Sequence, residues 1–226
     1  MHATSPPEPG AIPVITYFNV RGRAEAIRLI LEEVGVAYRE RRVAVEEWPA
    51  LKPTLPFGQL PCYEDGPLRI VQSHAIYRYL ARRYDLYGLD EADRVRCDIV
   101  EETFVDAQND LGGFLWKPDF SALRADYEKN HLPQLLTRIQ NLLAVNRNGS
   151  GFWCGERISF VDFLAWHFLD YVRAFSLATL QQFNTLYAFK QRIETRPRIA
   201  AYLSSPRRPA TLTVAIAPFG GTPETS

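Results

Sequence analysis

Apolar positions recur along the chain at two different spacings. In the first third, short apolar runs predict strands at 11–17 and 38–45, with a helix-spaced segment between them. Two more short strands flank the turn at Asp65-Gly66, and a helix is predicted over 73–84. This order, βαβ followed by ββα, is compatible with a small thioredoxin-like α/β domain over residues 11–84.

The rest of the chain carries only helix-spaced apolar positions. Residues 85–92 form a predicted linker, and 93–226 is predicted to be an all-helical domain with an irregular tail rich in proline and glycine. Its first helix is expected to end at Gly112-Gly113. A later helix opens after Ser159, with Asp162 in capping-box position, and is apolar nearly all round, so we expect it to be buried.

Composition and charge exclude several classes of partner. The chain has 226 residues, of which 46% are hydrophobic and 23% charged, as in ordinary globular proteins. Its formal net charge is zero, which favours neither nucleic acid nor an anionic membrane, and no apolar run reaches the ~20 residues of a membrane span. Cys62, Cys97 and Cys154 lie far apart, and the four histidines lack ligand spacing, so neither a disulfide framework nor a metal site is expected.

The N-terminal residues 1–10 are rich in proline and lack the basic-then-apolar order of a signal peptide. We therefore expect a disordered extension and a cytoplasmic protein.

The stretch from Thr54 to Pro61, followed by Gln72-Ser73, predicts a binding site. Proline has no N–H, so Pro61 suits the first residue of a strand and leaves the backbone of Leu60 free to bind an extended peptide. Ser73, at a helix N-terminus, offers its hydroxyl, backbone N–H groups and the positive end of the helix dipole to a carboxylate. Together these features predict a small anionic peptide as ligand.

Three segments resemble the glutathione-binding segments of cytosolic glutathione transferases. They are Thr16-Tyr17-Phe18-Asn19-Val20-Arg21-Gly22-Arg23-Ala24-Glu25, Leu55-Pro56-Phe57-Gly58-Gln59-Leu60-Pro61 and Gln72-Ser73-His74-Ala75-Ile76-Tyr77-Arg78-Tyr79-Leu80. The first is most similar to the tyrosine-type sigma class, which includes prostaglandin D synthases and S-crystallins. The resemblance covers roughly Ile12 to Leu203. It implies a thioredoxin-like domain followed by an all-α domain, glutathione as co-substrate and a homodimer.

By this resemblance, Tyr17 activates the thiol, with Arg23 as a nearby cation. A free thiol has a pKa near 8.5, and a hydroxyl that donates a hydrogen bond to the sulfur stabilises the thiolate. Lowering the thiol pKa by about two units takes roughly 2.7 kcal/mol, within reach of one charge-assisted hydrogen bond, a helix dipole and a cation. On position alone, Tyr17 is one of eleven tyrosines, and a packing role stays open.

The resemblance also implies which groups hold glutathione. Trp48 and Lys52 share a helical face and suit the glycine carboxylate, Gln72 and Ser73 the γ-glutamyl carboxylate, and Gln59 and Leu60 the peptide backbone. The complete predicted set is Tyr17, Phe18, Arg23, Trp48, Lys52, Gln59, Leu60, Pro61, Gln72, Ser73 and Asp106.

Asp106 is expected to reach the γ-glutamyl ammonium group across the dimer interface. Sigma members with a divalent-ion site there have further aspartates, where this chain has Glu102 and Val105, so no metal is expected. Phe114 and Trp116 resemble the aromatic wall of the second-substrate pocket, which favours flat apolar electrophiles; core packing is the alternative for both. His167 is expected to be a hydrogen-bonded core residue.

The predicted function is conjugation of glutathione to small hydrophobic electrophiles, as in detoxification. Two alternatives stay open: a glutathione-dependent isomerisation of the prostaglandin D synthase kind, and a non-enzymatic ligand-binding or structural protein of the S-crystallin kind.

Overall fold

A mixed four-stranded sheet forms the first part of the molecule. The computed structural model describes residues 12–222, so the predicted extension at 1–10 lies outside the described residues. The strands are β1 (Val14–Phe18), β2 (Arg39–Val43), β3 (Cys62–Asp65) and β4 (Leu68–Val71). Their order is β2-β1-β3-β4; β1 is parallel to β2 and antiparallel to β3, and β3 is antiparallel to β4.

Three helices accompany this sheet. They are α1 (Glu25–Val34), the single turn α2 (Trp48–Leu51) and α3 (Ser73–Arg83). Gly35 ends α1 with a φ of 72°, a left-handed conformation that glycine adopts without steric cost. The thioredoxin-like arrangement predicted from the sequence is confirmed.

The second part is helical, as predicted. Its helices are α4 (Glu91–Leu115), α5 (Phe120–Asp126), α6 (Leu132–Ala144), α7 (Phe160–Phe175), α8 (Leu177–Gln181), α9 (Asn184–Glu194) and α10 (Pro197–Leu203). One expectation was wrong: α4 continues through Gly112-Gly113 to Leu115. Neither glycine has a positive φ, and the N–H of Trp116 still bonds to the carbonyl of Gly112, so the helix is not interrupted.

The two parts share one hydrophobic core. Helix α7 is buried nearly all round and packs against α1 and α4, while α1 also packs against α10. Ile27 and Ile30 of α1 belong to the same buried cluster as Leu164 and Phe168 of α7. The sheet is therefore joined to the helices by continuous packing rather than by a thin interface. Among the described residues, no helix is both long and apolar enough to span a bilayer.

The start of α7 is held by the buried carboxylate of Asp162. Its Oδ2 accepts hydrogen bonds from the backbone N–H of Ser159 (2.7 Å) and from the Ser159 hydroxyl (2.8 Å), and its Oδ1 accepts one from the N–H of Trp153 (3.0 Å). Burial raises the pKa of Asp162 to about 6, although these hydrogen bonds oppose the shift. The carboxylate thus ties α7 to the preceding loop.

We expect Asp162→Asn to lower the free energy of unfolding by about 2–3 kcal/mol, because one amide oxygen cannot serve donors on both sides of the carboxylate. Urea unfolding at a fixed protein concentration measures this loss. Asp98→Asn, at an exposed carboxylate that accepts a hydrogen bond from Tyr87, is the control and should cost less than 1 kcal/mol. Equal losses in the two variants would contradict a special role for Asp162.

Candidate functional site

A cavity of about 540 Å³ lies between the sheet, two long helices and the C-terminal tail. Tyr17 and Phe18, at the carboxyl end of β1, form one side, and another side is formed by several residues between Gln108 and Leu115 of α4, followed by Trp116. Helix α7 supplies further lining residues, and the tail closes the cavity at 212–214. A concave, mostly apolar space with a few polar groups is the usual form of a small-molecule site.

The hydroxyl of Tyr17 is oriented by the turn that follows β1. Its oxygen accepts a hydrogen bond from the backbone N–H of Arg23 at 3.1 Å. Gly22 lies between them with a φ of +38°, and a Cβ there would be only 2.6 Å from the Tyr17 oxygen, so a side chain at 22 would collide with it. Because the oxygen accepts from Arg23, the hydroxyl proton is available to donate to another group.

Burial raises the pKa of Tyr17, and the Arg23 hydrogen bond with the charges of Arg23 and Arg28 only partly offsets this effect. At neutral pH the hydroxyl is therefore protonated and acts as a hydrogen-bond donor. The exposed Arg23 lines the same cavity, and its backbone carbonyl accepts a 2.6 Å hydrogen bond from the Tyr77 hydroxyl. The turn that positions Tyr17 is thus fixed from α3 as well.

The predicted glutathione residues fall into two neighbouring groups beside this cavity. Gln72 donates a 2.8 Å hydrogen bond to the side-chain oxygen of Gln59, and Ser73 is buried at the start of α3. Gln72 has a φ of 70°, a left-handed conformation that is strained for a residue with a side chain. Leu60 precedes the cis bond to Pro61.

The second group surrounds a tryptophan. Trp48 packs edge-on against Phe18 with ring centres 5.5 Å apart, and both rings join the small apolar cluster that includes Leu60. Lys52 is exposed and lies next to Gly58, on the same side of the loop that leads to Pro61.

The structure separates the remaining predicted residues. Asp106 is exposed on α4 and is not among the residues that line the cavity. Trp116 does line it, with 47% of its surface exposed. Phe114 does not: it is buried, stacked on Tyr127 with ring centres 3.9 Å apart. The prediction for Phe114 was wrong because α4 stays helical here, and residues two apart on a helix point in nearly opposite directions.

Two parts of the lining lie outside the set of predicted site residues. One is the tail. The Arg21 N–H donates a hydrogen bond to the Thr211 carbonyl, and the Gly22 N–H donates one to the Leu212 carbonyl, both at 2.9 Å. The Tyr171 hydroxyl of α7 also donates to the Leu212 carbonyl, at 3.0 Å. Backbone contacts of this kind leave no pattern in the sequence. The helical spacing of α7 indicated that Tyr171 lies on this helix, but it did not indicate a cavity beside it.

The tail is anchored by a buried group of charges that we call the ion cluster: Arg21, Glu25, Arg28, Asp170, Lys190 and Arg208. Arg208 bonds to Glu25 at 2.8 Å and to Asp170 at 2.6 Å. Burial alone would raise the pKa of Asp170, but the charges of Arg208, Lys190 and Arg21 outweigh it and hold that pKa well below its usual range. The pKa of Glu25 is lowered in the same way, by Arg208 and Arg28.

His167 lies between the ion cluster and the cavity. It is buried as expected, but its Nδ1 has no hydrogen-bond partner among the described residues. Burial lowers its pKa to about 4, although Glu25 and Asp170 act in the opposite direction. The imidazole is therefore neutral at physiological pH and contributes a polar, uncharged edge to the lining.

The described residues are expected to hold no metal site. Among residues 12–222, no group of three or more histidine, cysteine, aspartate or glutamate side chains is arranged to hold an ion. The absence of a metal remains a prediction.

Comparisons with known proteins identify the same family for both parts of the chain. The models described as glutathione S-transferase, N-terminal domain, and glutathione S-transferase, C-terminal domain, match residues 13–82 and 106–206. A glutathione S-transferase of Dirofilaria immitis is 35% identical over 188 residues, 83% of this chain and 90% of the relative. Glutathione S-transferase Mu 4 of Mus musculus is 37% identical over 202 residues, 84% of this chain and 90% of the relative.

A solved structure agrees with these matches. The Pi-class glutathione S-transferase of Onchocerca volvulus superposes with a TM-score of 0.82 at 33% identity, and the match covers 85% of this chain and 92% of that one.

We expect the contribution of His167 to stability to fall as the pH drops from 6.5 towards 4, whereas Asp162, whose pKa is raised in the folded state, acts in the opposite direction over the lower part of this range. His167 has a lowered pKa in the folded state, so the unfolded chain takes up its proton first, and the neutral imidazole's contribution is complete only above pH 6.5. The loss amounts to about 3 kcal/mol, from a shift between 6.5 and about 4. Below this window, protonation of Glu25 and Asp170 continues the loss, because their pKa values are lowered.

Urea unfolding at pH 7.5, 5.5 and 4.5 measures this dependence. Relative to the wild type, His167→Phe should lose less stability between pH 6.5 and 4.5, whereas His131→Phe, at an exposed histidine of the same chain, should keep the wild-type slope. Parallel curves for His167→Phe and the wild type would show that another group causes the loss.

Proposed function

This chain belongs to the glutathione S-transferase family, and from that premise we propose that it joins the thiol of glutathione to hydrophobic electrophiles, with Tyr17 stabilising the thiolate. The observation that carries the proposal is the hydroxyl of Tyr17 itself. It lines an apolar cavity, stays protonated because burial raises its pKa, and accepts from Arg23 N–H in a way that leaves its proton free to donate.

Catalysis then consists of thiol activation and positioning. The Tyr17 hydroxyl donates a hydrogen bond to the glutathione sulfur, the thiol proton leaves to water, and the charge of Arg23 adds to the stabilisation of the thiolate. The sulfur forms a bond to the electrophilic carbon, and the bond from that carbon to its leaving group, or to an epoxide oxygen, breaks. The chemistry requires no covalent bond to the protein, so the gain comes from a lowered thiol pKa and from holding two substrates together.

For glutathione we propose the site beside Tyr17 that runs from Gln72-Ser73 to Trp48. The N-terminus of α3, with the buried Ser73 and the strained backbone of Gln72, offers N–H groups to the γ-glutamyl carboxylate. Gln59 and Leu60 face the peptide backbone, and Trp48 with Lys52 take the glycine carboxylate. Strain of this kind at Gln72 is retained where the surrounding contacts impose it, which is common at binding sites.

We also propose a homodimer, the usual state of this family, in which Asp106 of one subunit reaches the partner's γ-glutamyl ammonium group. Phe57 supports an association surface: 83% of it is exposed, at the tip of the loop before Pro61, with a φ of 58°. Val95 and Ile99, about half exposed on α4, add a second apolar patch. We further propose that residues 85–92 separate two domains and that the protein is cytoplasmic.

The sigma-type assignment is likewise a proposal, supported by the segment Thr16 to Glu25. Of the relatives named above, the Mus musculus protein carries a Mu label and the Onchocerca volvulus structure a Pi label.

We expect Tyr17→Phe to abolish thiol activation without abolishing glutathione binding. In the wild type, thiolate absorbance near 240 nm should titrate about two units below the free-thiol pKa, and the variant should lose that shift and about 100-fold in kcat/KM. Its glutathione Kd should change less than about threefold, since the other contacts remain. Tyr187→Phe on α9, outside the cavity, is the control.

Two results would count against this proposal. A thiolate shift that survives Tyr17→Phe would transfer activation to another group, and an unshifted thiol in the wild type would remove thiolate stabilisation altogether. Turnover of a prostaglandin endoperoxide without consumption of glutathione would replace conjugation by isomerisation.

We expect Phe57→Ser to weaken the dimer by a factor of 100 or more. A phenylalanine that is buried on association contributes about 1.5–3 kcal/mol, and a two-fold dimer contains two copies. Sedimentation velocity over a dilution series measures the dissociation constant. Val145→Ser removes another apolar side chain, 70% exposed at the end of α6, and should leave the constant unchanged; an equal effect of both variants would refute the assigned surface.

A further inference from the structure

Helix α4 contains two adjacent glycines that its own architecture does not require. Gly112 and Gly113 lie inside a helix that runs from Glu91 to Leu115, and glycine in a helix interior is less stable than alanine because it loses more backbone freedom on folding. Two such residues in succession need a reason.

The usual structural reasons for glycine are absent here. Neither residue has a positive φ, so no left-handed backbone is involved. Apart from the adjoining backbone of α4 itself, a Cβ built on either one would meet no atom of the described residues within 4 Å, so no neighbouring segment approaches the helix there. The helix does not end at them either, since the Trp116 N–H still bonds to the Gly112 carbonyl. A methyl group would fit at both positions.

The two glycines border the cavity. Gly112 lies on the same helical face as Gln108, Leu111 and Leu115, and all four line the cavity, as does Gly113. The missing side chains leave bare helix backbone as part of the wall of the cavity that Tyr17 also lines. The empty space that a Cβ would enter is therefore space open to a ligand.

The remaining lining indicates what kind of ligand fits this part of the wall. Aromatic rings border the cavity on several sides, among them Trp116, Phe168 and Tyr171. Arg23 is the one side chain of the lining, among the described residues, that carries charge at neutral pH, and no carboxylate faces the cavity. The volume of about 540 Å³ accommodates several fused rings.

We propose that Gly112 and Gly113 form a flat binding surface for a broad, multi-ring aromatic electrophile without positive charge, with its reactive carbon towards Tyr17. The inference rests on the proposed conjugation at the same site and names its preferred substrate class. The glycines determine specificity for the electrophile. They lower the stability of the helix but allow a planar ring system to contact the helix backbone. A single-ring electrophile contacts only part of this surface, so its turnover depends less on the two glycines.

The test compares a single-ring electrophile, 1-chloro-2,4-dinitrobenzene, with a four-ring one, pyrene 4,5-oxide, in wild type, Gly112→Ala and Gly112→Leu. The ratio of kcat/KM for the four-ring to the single-ring substrate should fall about threefold in the alanine variant and at least tenfold in the leucine variant. The melting temperature of Gly112→Ala should rise by about 2–4 °C, because alanine favours the helix. Gly151→Ala, in the loop before α7 and outside the cavity, is the control and should leave the ratio unchanged.

The outcomes distinguish the role of the glycines from the conjugation activity itself. An unchanged substrate ratio in Gly112→Leu, with the protein folded by its melting curve, would overturn the inference while conjugation itself stands. A lower melting temperature in Gly112→Ala would also overturn it, since it would reveal a structural need for glycine. Absence of turnover with both electrophiles in the wild type would refute the proposed function instead.

Discussion

One buried cluster of charges holds three sides of the cavity together. Arg208 of the tail bonds to Glu25 of α1 and to Asp170 of α7, and Arg21 reaches Asp170 from the turn after β1 at 3.3 Å. Both carboxylates are almost fully buried, and a buried charge that loses its partner costs about 3–5 kcal/mol. Release of the tail would remove Arg208 from both carboxylates and leave Glu25 with Arg28 and Asp170 with fewer cations, so the ion cluster favours the covered state of the cavity.

The cover of the cavity and the Tyr17 hydroxyl are linked through three consecutive residues. Arg21 and Gly22 donate their backbone N–H groups to the tail, and the next residue, Arg23, donates its own to the Tyr17 oxygen. The geometry that binds the tail is thus the geometry that directs the hydroxyl proton towards the cavity. A displacement of the tail would alter this turn, so the ion cluster acts on the site at a distance without contacting a substrate.

Departures from the most stable local structure concentrate around the same cavity. Gln72 has left-handed backbone angles, His167 has an unpaired ring nitrogen, and Gly112-Gly113 weaken an otherwise regular helix. Each one costs stability, and each borders the cavity or belongs to the predicted glutathione-binding residues. Such local conflicts are expected where binding rather than stability determines the residue. The one-core architecture, in which α1 and α7 pack together, provides the stability that these positions lack.

The sequence by itself determined the fold class, the helix cap at Asp162 and the glutathione-type segments, because these depend on local periodicity, turn residues and short motifs with their own chemistry. Only the tertiary structure decided that α4 continues through its glycines, which directs Phe114 into the core and Trp116 into the cavity. It alone brought Arg208 to Glu25 and Asp170, and the tail backbone to Arg21 and Gly22. Pairings between residues of different elements, 38 positions apart for Arg208 and Asp170 and 183 for Arg208 and Glu25, depend on how whole elements pack. A backbone hydrogen bond carries no residue signature, so neither kind of contact could be derived from the pattern along the chain.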